Sequence, residues 1–201
     1  MEQDCDIEPI LGDTEAGRYI LRHSCAHLLA QAVVEIYPDA QPTIGPPIEN
    51  GFYYDFKMDP VGDGDLKKIE KKMQEHIRAN HTLTREEHDN RTLRDMFAGN
   101  PFKIEIMNDK IGMDIGSSAY RQGDFVDLCL GPHVPSTSYL RWFKLTGTSQ
   151  AYWKGDSSKD SLVRIYGMCF SSKDELRERE RQIEEAKKRD HKKIGKEMEL
   201  Y

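Results

Sequence analysis

The sequence predicts an α+β fold: an antiparallel β-sheet wrapped around one central helix, with a charged helix trailing at the C-terminus. Three observations carry this reading. Residues 16–37 (AGRYILRHSCAHLLAQAVVEIY) set Leu21, Cys25, Leu28, Leu29, Ala32, Val33 and Ile36 at spacings of three and four, the stripe of a core helix that Pro38 ends. Segments of strand character then dominate from residue 102 to residue 170, separated by Gly/Ser/Asp turns. Residues 173–198 are dense in charge and poor in apolar side chains, a helix with little to bury.

The remaining elements follow in order. Residues 1–14 read as a mobile acidic lead-in. Pro42–Asp55 (PTIGPPIENGFYYD) mixes turn-makers with a short aromatic strand. Asp65–Ile77 is an amphipathic helix, with Leu66, Ile69, Met73 and Ile77 on one side and Lys/Glu on the other. Asn90 is placed to cap a short helix over Arg91–Ala98. Phe102–Met107 (FKIEIM) alternates as a strand does, and Asp124–Leu130 (DFVDLCL) alternates less cleanly. Tyr139–Leu145, Gln150–Lys154 and Ser161–Phe170 complete the expected strands. The plan is a lead-in over 1–14, a folded body over 15–170 and a linker helix over 171–201.

Composition excludes several classes. The 201 residues are 37% hydrophobic and 32% charged, enough apolar mass for one core. No apolar run approaches the roughly 18 residues of a membrane span, and the acidic N-terminus carries no secretory or organellar signal, so a cytoplasmic protein is expected. Four cysteines (Cys5, Cys25, Cys129, Cys169) fit free thiols in a reducing compartment better than a disulfide scaffold. The net charge of −6 is concentrated in the first sixteen residues, which hold six acids and no Lys or Arg. Residues 134–170 carry five basic groups against two acids, and Lys187–Lys196 carries six against one. Local basic surface of this kind serves phosphate contacts whatever the whole-chain charge.

Two short motifs carry chemistry: His23-x-x-x-His27 and Cys129-x-x-x-His133. On a helix the first pair points one way, nearly opposite the apolar stripe, and the small Ala26 and Ala30 share that face, which suits a cleft. Either half alone is a weak signal, since helix histidines and strand cysteines are mostly structural. Together, three imidazoles and a thiol supply either a tetrahedral Zn²⁺ site on His23, His27, Cys129 and His133 or a metal-free cluster that orients a water. Asp127 lies two residues before Cys129 and shares its strand face, and Gly131–Pro132 turns the chain so that His133 aims back. His76, His81, His88 and His191 sit among charged or turn residues and read as solvated surface.

RHSCAHLLAQAV, PTIGPPIENGFYYDF, DLCLGPHVPSTSYLRWFKLTG, AYWKGDS and LVRIYG occur here in that order. Together they resemble the editing-domain family of threonyl- and alanyl-tRNA synthetases. GPHVP and YWKGDS…RIYG point to its bacterial-type threonyl branch. The likeness runs from about Gly17 to Tyr201, and the tail KKRDHKKIGKEMELY is similar to the linker helix leading into that enzyme's aminoacylation domain. The chain looks like an editing domain without the class II catalytic and anticodon-binding domains, excised or free-standing, so activation of threonine is not expected.

The resemblance implies hydrolysis of the ester in seryl-tRNA(Thr), with the tRNA acceptor end as partner and a separate or fused synthetase catalytic domain as context. It implies roles as well. His23 is base or water-orienting group, with His27 beside it, and Cys129 or His133 holds a water. Lys103 stabilises charge near the carbonyl or the terminal ribose. Asp127 partners a histidine, the lysine or the substrate amine. Tyr54 and Asn50 contact substrate, and the terminal ribose hydroxyl assists. The alanyl relatives use the four-residue set for zinc, whereas the threonyl type works without metal, so no cofactor is expected. The other readings are a zinc-dependent alanyl-type deacylase and a non-catalytic tRNA-binding appendage.

Overall fold

The computed structural model describes residues 8–110 and 118–189, with the side chains of Lys110 and Lys187 excepted. Helix α1 (Glu15–Ile36) opens at Thr14, whose Oγ1 accepts the Gly17 N–H at 3.0 Å, and it is the axis of the fold. Strands β1 (Gln41–Pro42), β2 (Pro47–Ile48) and β3 (Gly51–Lys57) follow, then helix α2 (Asp63–Ala79) and strand β4 (Leu83–Glu87). Helices α3 (Asn90–Met96) and α4 (Pro101–Lys110) precede the hairpin β5 (Ser118–Gln122) and β6 (Phe125–Leu128). Long strands β7 (Trp142–Tyr152) and β8 (Ser161–Phe170) and helix α5 (Lys173–Lys188) end the described chain.

All pairings are antiparallel. The larger sheet runs β1-β3-β8-β7 with β2 also on β3, and the smaller runs β4-β5-β6. The expected α+β architecture is therefore present, with α1 between sheets rather than on a surface. Leu21, Cys25, Leu28, Leu29 and Val33 of α1 pack with Phe52, Phe56, Ile69, Met73 and Ile165 in one continuous core. The opposite side of α1 meets the small sheet, where Gln122 Nε2 donates to Gln31 Oε1 at 2.5 Å inside the protein. Residues 24 to 33 are buried without interruption. The histidine face is thus roofed by protein at Ala26, His27 and Ala30, and the expected open cleft is confined to the half-buried His23 end.

Several expectations are corrected. FKIEIM is helical, not a strand. Asn100 Oδ1 accepts the N–H groups of Phe102 and Lys103 at 3.1 and 3.2 Å, and Pro101 takes the first helical position. The helix is apolar on two sides, Phe102 and Ile106 toward Trp153, Ile104 and Met107 toward Leu93 and Ala119, and that two-sided burial mimics strand alternation. Asp89 rather than Asn90 caps α3, accepting the Thr92 N–H at 2.7 Å. The segment 124–130 is a strand only over Phe125–Leu128. Thr137–Tyr139 is a 3₁₀ turn, and the pieces 139–145 and 150–154 merge into β7 before a second 3₁₀ turn at Trp153–Gly155. Strands β4 and β5 were not anticipated. His76 is buried rather than solvated, its Nε2 3.1 Å from Glu35. Residues 1–7, His191 and most of Lys187–Lys196 lie outside the described residues. Among the described residues no helix is long and apolar enough to cross a membrane.

Candidate active site

The two motifs meet where α1 faces the segment after β6. Cys129 Sγ lies 3.3 Å from His23 Nε2 and 3.2 Å from His133 Nε2, and it accepts the Gly131 N–H at 3.3 Å. The turn that returns His133 needs Gly131: its φ is +74°, and a Cβ there would collide with the Tyr120 hydroxyl. The Gly131–Pro132 peptide is cis. The His133 ring lies 4.3 Å from that of His23, 4.7 Å from that of His27 and 4.4 Å, edge-on, from Tyr120.

Ser24, which sequence reasoning passed over, fixes the orientation of His133. Its Oγ donates to Ile20 O at 2.8 Å and accepts the Val134 N–H at 3.0 Å. The His133 Nδ1 lies 3.0 Å away, so with the hydroxyl proton committed it is His133 that donates. The Nε2 lone pair then faces the Cys129 thiol. A small polar residue between His23 and the apolar stripe was the available signal, but serine is also frequent on helices for local reasons.

A second cluster adjoins the first. Asp127 accepts the Tyr54 hydroxyl at 2.5 Å, the Lys103 ammonium at 2.5 Å and the Leu128 N–H at 2.8 Å. Lys103 Nζ is also 3.1 Å from Tyr54 Oη. All three side chains are buried, and Gly45 leaves room for the Tyr54 ring, which a Cβ would strike. Burial, reinforced by the Asp127 charge, pushes the Tyr54 phenol well up, so it stays a neutral donor. His27 bridges the clusters. Its Nε2 is 3.5 Å from Asp127 Oδ2, its ring edge-on to Phe125 at 5.4 Å. Burial depresses its pKa well below the usual value, aided by His23 and Lys103. It is therefore neutral, the Asp127 contact is no ion pair, and among the described residues neither ring nitrogen has a hydrogen-bond partner.

His23 and His133 are also pushed down by desolvation, His133 much further, with the neighbouring histidines adding to it. The structure thus brings together His23, His27, Lys103, Asp127, Cys129, His133 and Tyr54. It does not bring in Asn50, which is exposed in the turn between β2 and β3. For a metal, the nitrogen and sulfur donors of His23, Cys129 and His133 lie within 4.8 Å of one another, and their spacing fits a tetrahedral ion with one position open. His27, the fourth ligand of the zinc alternative, is outside that group.

Residues 118–166 match the family described as threonyl and alanyl tRNA synthetase second additional domain. Over 98% of its length the chain is 50% identical to the threonine--tRNA ligase of Thermoplasma volcanium, covering 30% of that protein. It is 46% identical to the threonine--tRNA ligases of Campylobacter lari and Staphylococcus epidermidis, over 98% and 100% of the chain and 33% and 31% of those proteins. The chain therefore spans about a third of the length of the curated relatives it matches. Cys129, His133, Asp127 and Tyr120 all fall inside the matched segment, and α1 supplies the remaining imidazoles from outside it. The matched segment thus belongs to the threonyl and alanyl tRNA synthetase second additional domain family, and the chain along nearly its whole length is similar to one part of threonine--tRNA ligases.

Proposed function

We propose that this domain hydrolyses the ester of seryl-tRNA(Thr), cleaving the bond between the seryl carbonyl and the terminal ribose oxygen. The observation that carries the reading is the contact of two clusters with complementary tasks. One offers neutral imidazoles beside a thiol; the other offers an ammonium fixed by a carboxylate and a phenol. Water adds to the carbonyl carbon, the ribose oxygen leaves with a proton, and serine is released.

A base must take the proton of the attacking water. His23 suits this better than His133, because it is less desolvated, whereas His133 is a much weaker base held at both ring nitrogens, by Ser24 and by Cys129. Lys103, immobilised by Asp127 and Tyr54, faces the charge that develops on the carbonyl or ribose oxygen. His27, buried between the clusters with its Nε2 3.5 Å from Asp127, is the neutral imidazole that links them. The terminal ribose hydroxyl of the tRNA contributes a further proton donor. The need for such a sieve is physical: one missing methyl discriminates serine from threonine by only about 1–3 kcal/mol at a synthetic site.

The reaction is proposed to proceed without metal. A zinc ion on His23, Cys129 and His133 would supply an acidified water. The orientation of His27 toward Asp127 and Phe125, and the engagement of Sγ by two imidazoles and a backbone N–H, support a hydrogen-bonded cluster. The tRNA acceptor end is the partner and a synthetase catalytic domain the context, with work in the cytoplasm; no aminoacylation by this chain is proposed. The test is the decay of radiolabelled seryl-tRNA(Thr) with and without the purified chain. The reading requires fast, ATP-independent release of serine, and an ester lifetime unchanged by the chain overturns it.

A further inference from the structure

We infer that Trp153 and Lys154 clamp α4 through Glu105 and Asp109, and so act as positioning residues for Lys103. The inference rests on the editing reading for the use of Lys103, though its geometry stands apart from it. Lys103 projects from α4 into the Asp127–Tyr54 cluster on a long, rotatable stem, so its ammonium is only as well placed as the helix that carries it. On another side of α4, Phe102, Glu105 and Asp109 recur at spacings of three and four and meet the 3₁₀ turn Trp153–Gly155.

The fastening there is dense. The Trp153 ring is buried and stands edge-on to Phe102 with centroids 5.1 Å apart. Its Nε1–H donates to Glu105 Oε2 at 2.7 Å. Lys154 Nζ lies 2.6 Å from Glu105 Oε1 and also bonds Asp109, while Lys159 stands 3.5 Å from the same Glu105 oxygen. The hydrogen bond from Lys154 holds the Glu105 carboxyl at about 2, so it is ionised throughout the working range. Lys154 adopts φ +54°, ψ +22°, a left-handed conformation unfavourable for a residue with a Cβ, and this conformation delivers its ammonium to both carboxylates.

Exposed ion pairs of this type contribute little to stability. Their consequence is geometric, because misplacing a catalytic group by about 1 Å can cost on the order of 100-fold in rate. The AYWKGDS stretch, which the hydrolysis itself leaves without a task, thereby gains one: Trp153 and Lys154 touch no reacting atom and act through α4.

The experiment compares Glu105→Ala, Glu105→Gln and Trp153→Phe with the unaltered chain and with Lys68→Met, a control from the exposed pair with Asp65 on α2. Single-turnover hydrolysis of seryl-tRNA(Thr) is read beside the reactivity of the Lys103 amine toward acetic anhydride, located by mass spectrometry. The clamp predicts that Glu105→Ala and Trp153→Phe lower the saturated rate about tenfold, with half-saturation unchanged within about twofold. Lys103 then acetylates readily, and Glu105→Gln, which keeps one carbonyl oxygen as acceptor and loses the other, restores part of the rate. Full rate with Lys103 as protected as in the unaltered chain overturns the clamp. So does a loss that follows the melting temperature and resists rescue by glutamine. An unaltered chain that leaves the ester intact sinks the editing reading, and the acetylation comparison still decides the clamp.

Discussion

Replacing Asp127 by Asn removes the charge that faces Lys103 while keeping the shape of the side chain. In the structure the ammonium and the carboxylate oxygen are 2.5 Å apart, both side chains nearly devoid of solvent contact. At an effective dielectric of 20 their attraction is about 7 kcal/mol, and it offsets a desolvation cost of several kcal/mol for each ion. The intact pair is therefore close to neutral for stability, but one buried charge left alone costs about 3–5 kcal/mol. Asp127→Asn leaves the Lys103 charge with neutral acceptors alone, an amide oxygen and the Tyr54 hydroxyl at 3.1 Å, so a loss in that range is expected. Lys103→Met leaves Asp127 with the Tyr54 hydroxyl and the Leu128 N–H, two donors to the charged form, and is expected to cost less. The double variant Lys103→Met, Asp127→Asn buries no charge and should recover about 2 kcal/mol or more relative to additive losses. Urea unfolding followed by circular dichroism measures this. With a slope of about 2 kcal/mol per molar, Asp127→Asn lowers the midpoint by about 1.5–2.5 M. Additive single losses below about 1 kcal/mol each would show that the pair is solvated and the cluster misdescribed.

Further outcomes follow from the same geometry. Because His23, His27 and His133 have depressed values in the folded chain, their stabilising contribution is complete above about pH 6.5 and is lost as the pH falls below it, by up to about 1.4 kcal/mol per unit for each. Urea midpoints that stay constant from pH 7 to pH 5 contradict that assignment. The same downward shifts place any acid limb of the saturated hydrolysis rate below the ordinary imidazole value near 6.5. Prolonged EDTA treatment should leave deacylation intact, with elemental analysis finding well below one zinc per chain; stoichiometric zinc lost together with activity would establish the alanyl-type alternative. Reversing Lys187, Lys188 and Arg189 to Glu should weaken tRNA binding and flatten its salt dependence by about one unit per lost phosphate contact. Binding unaltered at low salt would assign the tail to linkage alone.

The parts of this fold that were legible in the sequence carry a dense apolar pattern of their own. Helix α2 shows its Leu66, Ile69 and Met73 stripe against charge, and β8 reads directly from SLVRIYGMCF. Helix α4 was misread because burial on two sides erases the helical stripe. Strand β5 (SAYRQ) stayed hidden because its buried ends are polar: Ser118 donates to the Cys129 carbonyl and Gln122 Nε2 to Gln31. Spacing alone disclosed His23, Cys129 and His133. Lys103 and Tyr54 stood out only through the family likeness, since a lysine and a tyrosine 49 residues apart carry no local pattern. The orienting role of Ser24 left only a weak signal, because it depends on whether Ile20 O or His133 Nδ1 receives one hydroxyl proton.

The central claim is that this site removes serine, and not threonine, from tRNA(Thr). Its most direct test is a single-turnover comparison of seryl-tRNA(Thr) and threonyl-tRNA(Thr) at saturating chain, without ATP. The account predicts release of serine faster than threonine by at least about tenfold, the minimum that one methyl group confers. Equal release from both, or faster release from a tRNA mischarged with alanine, would contradict it.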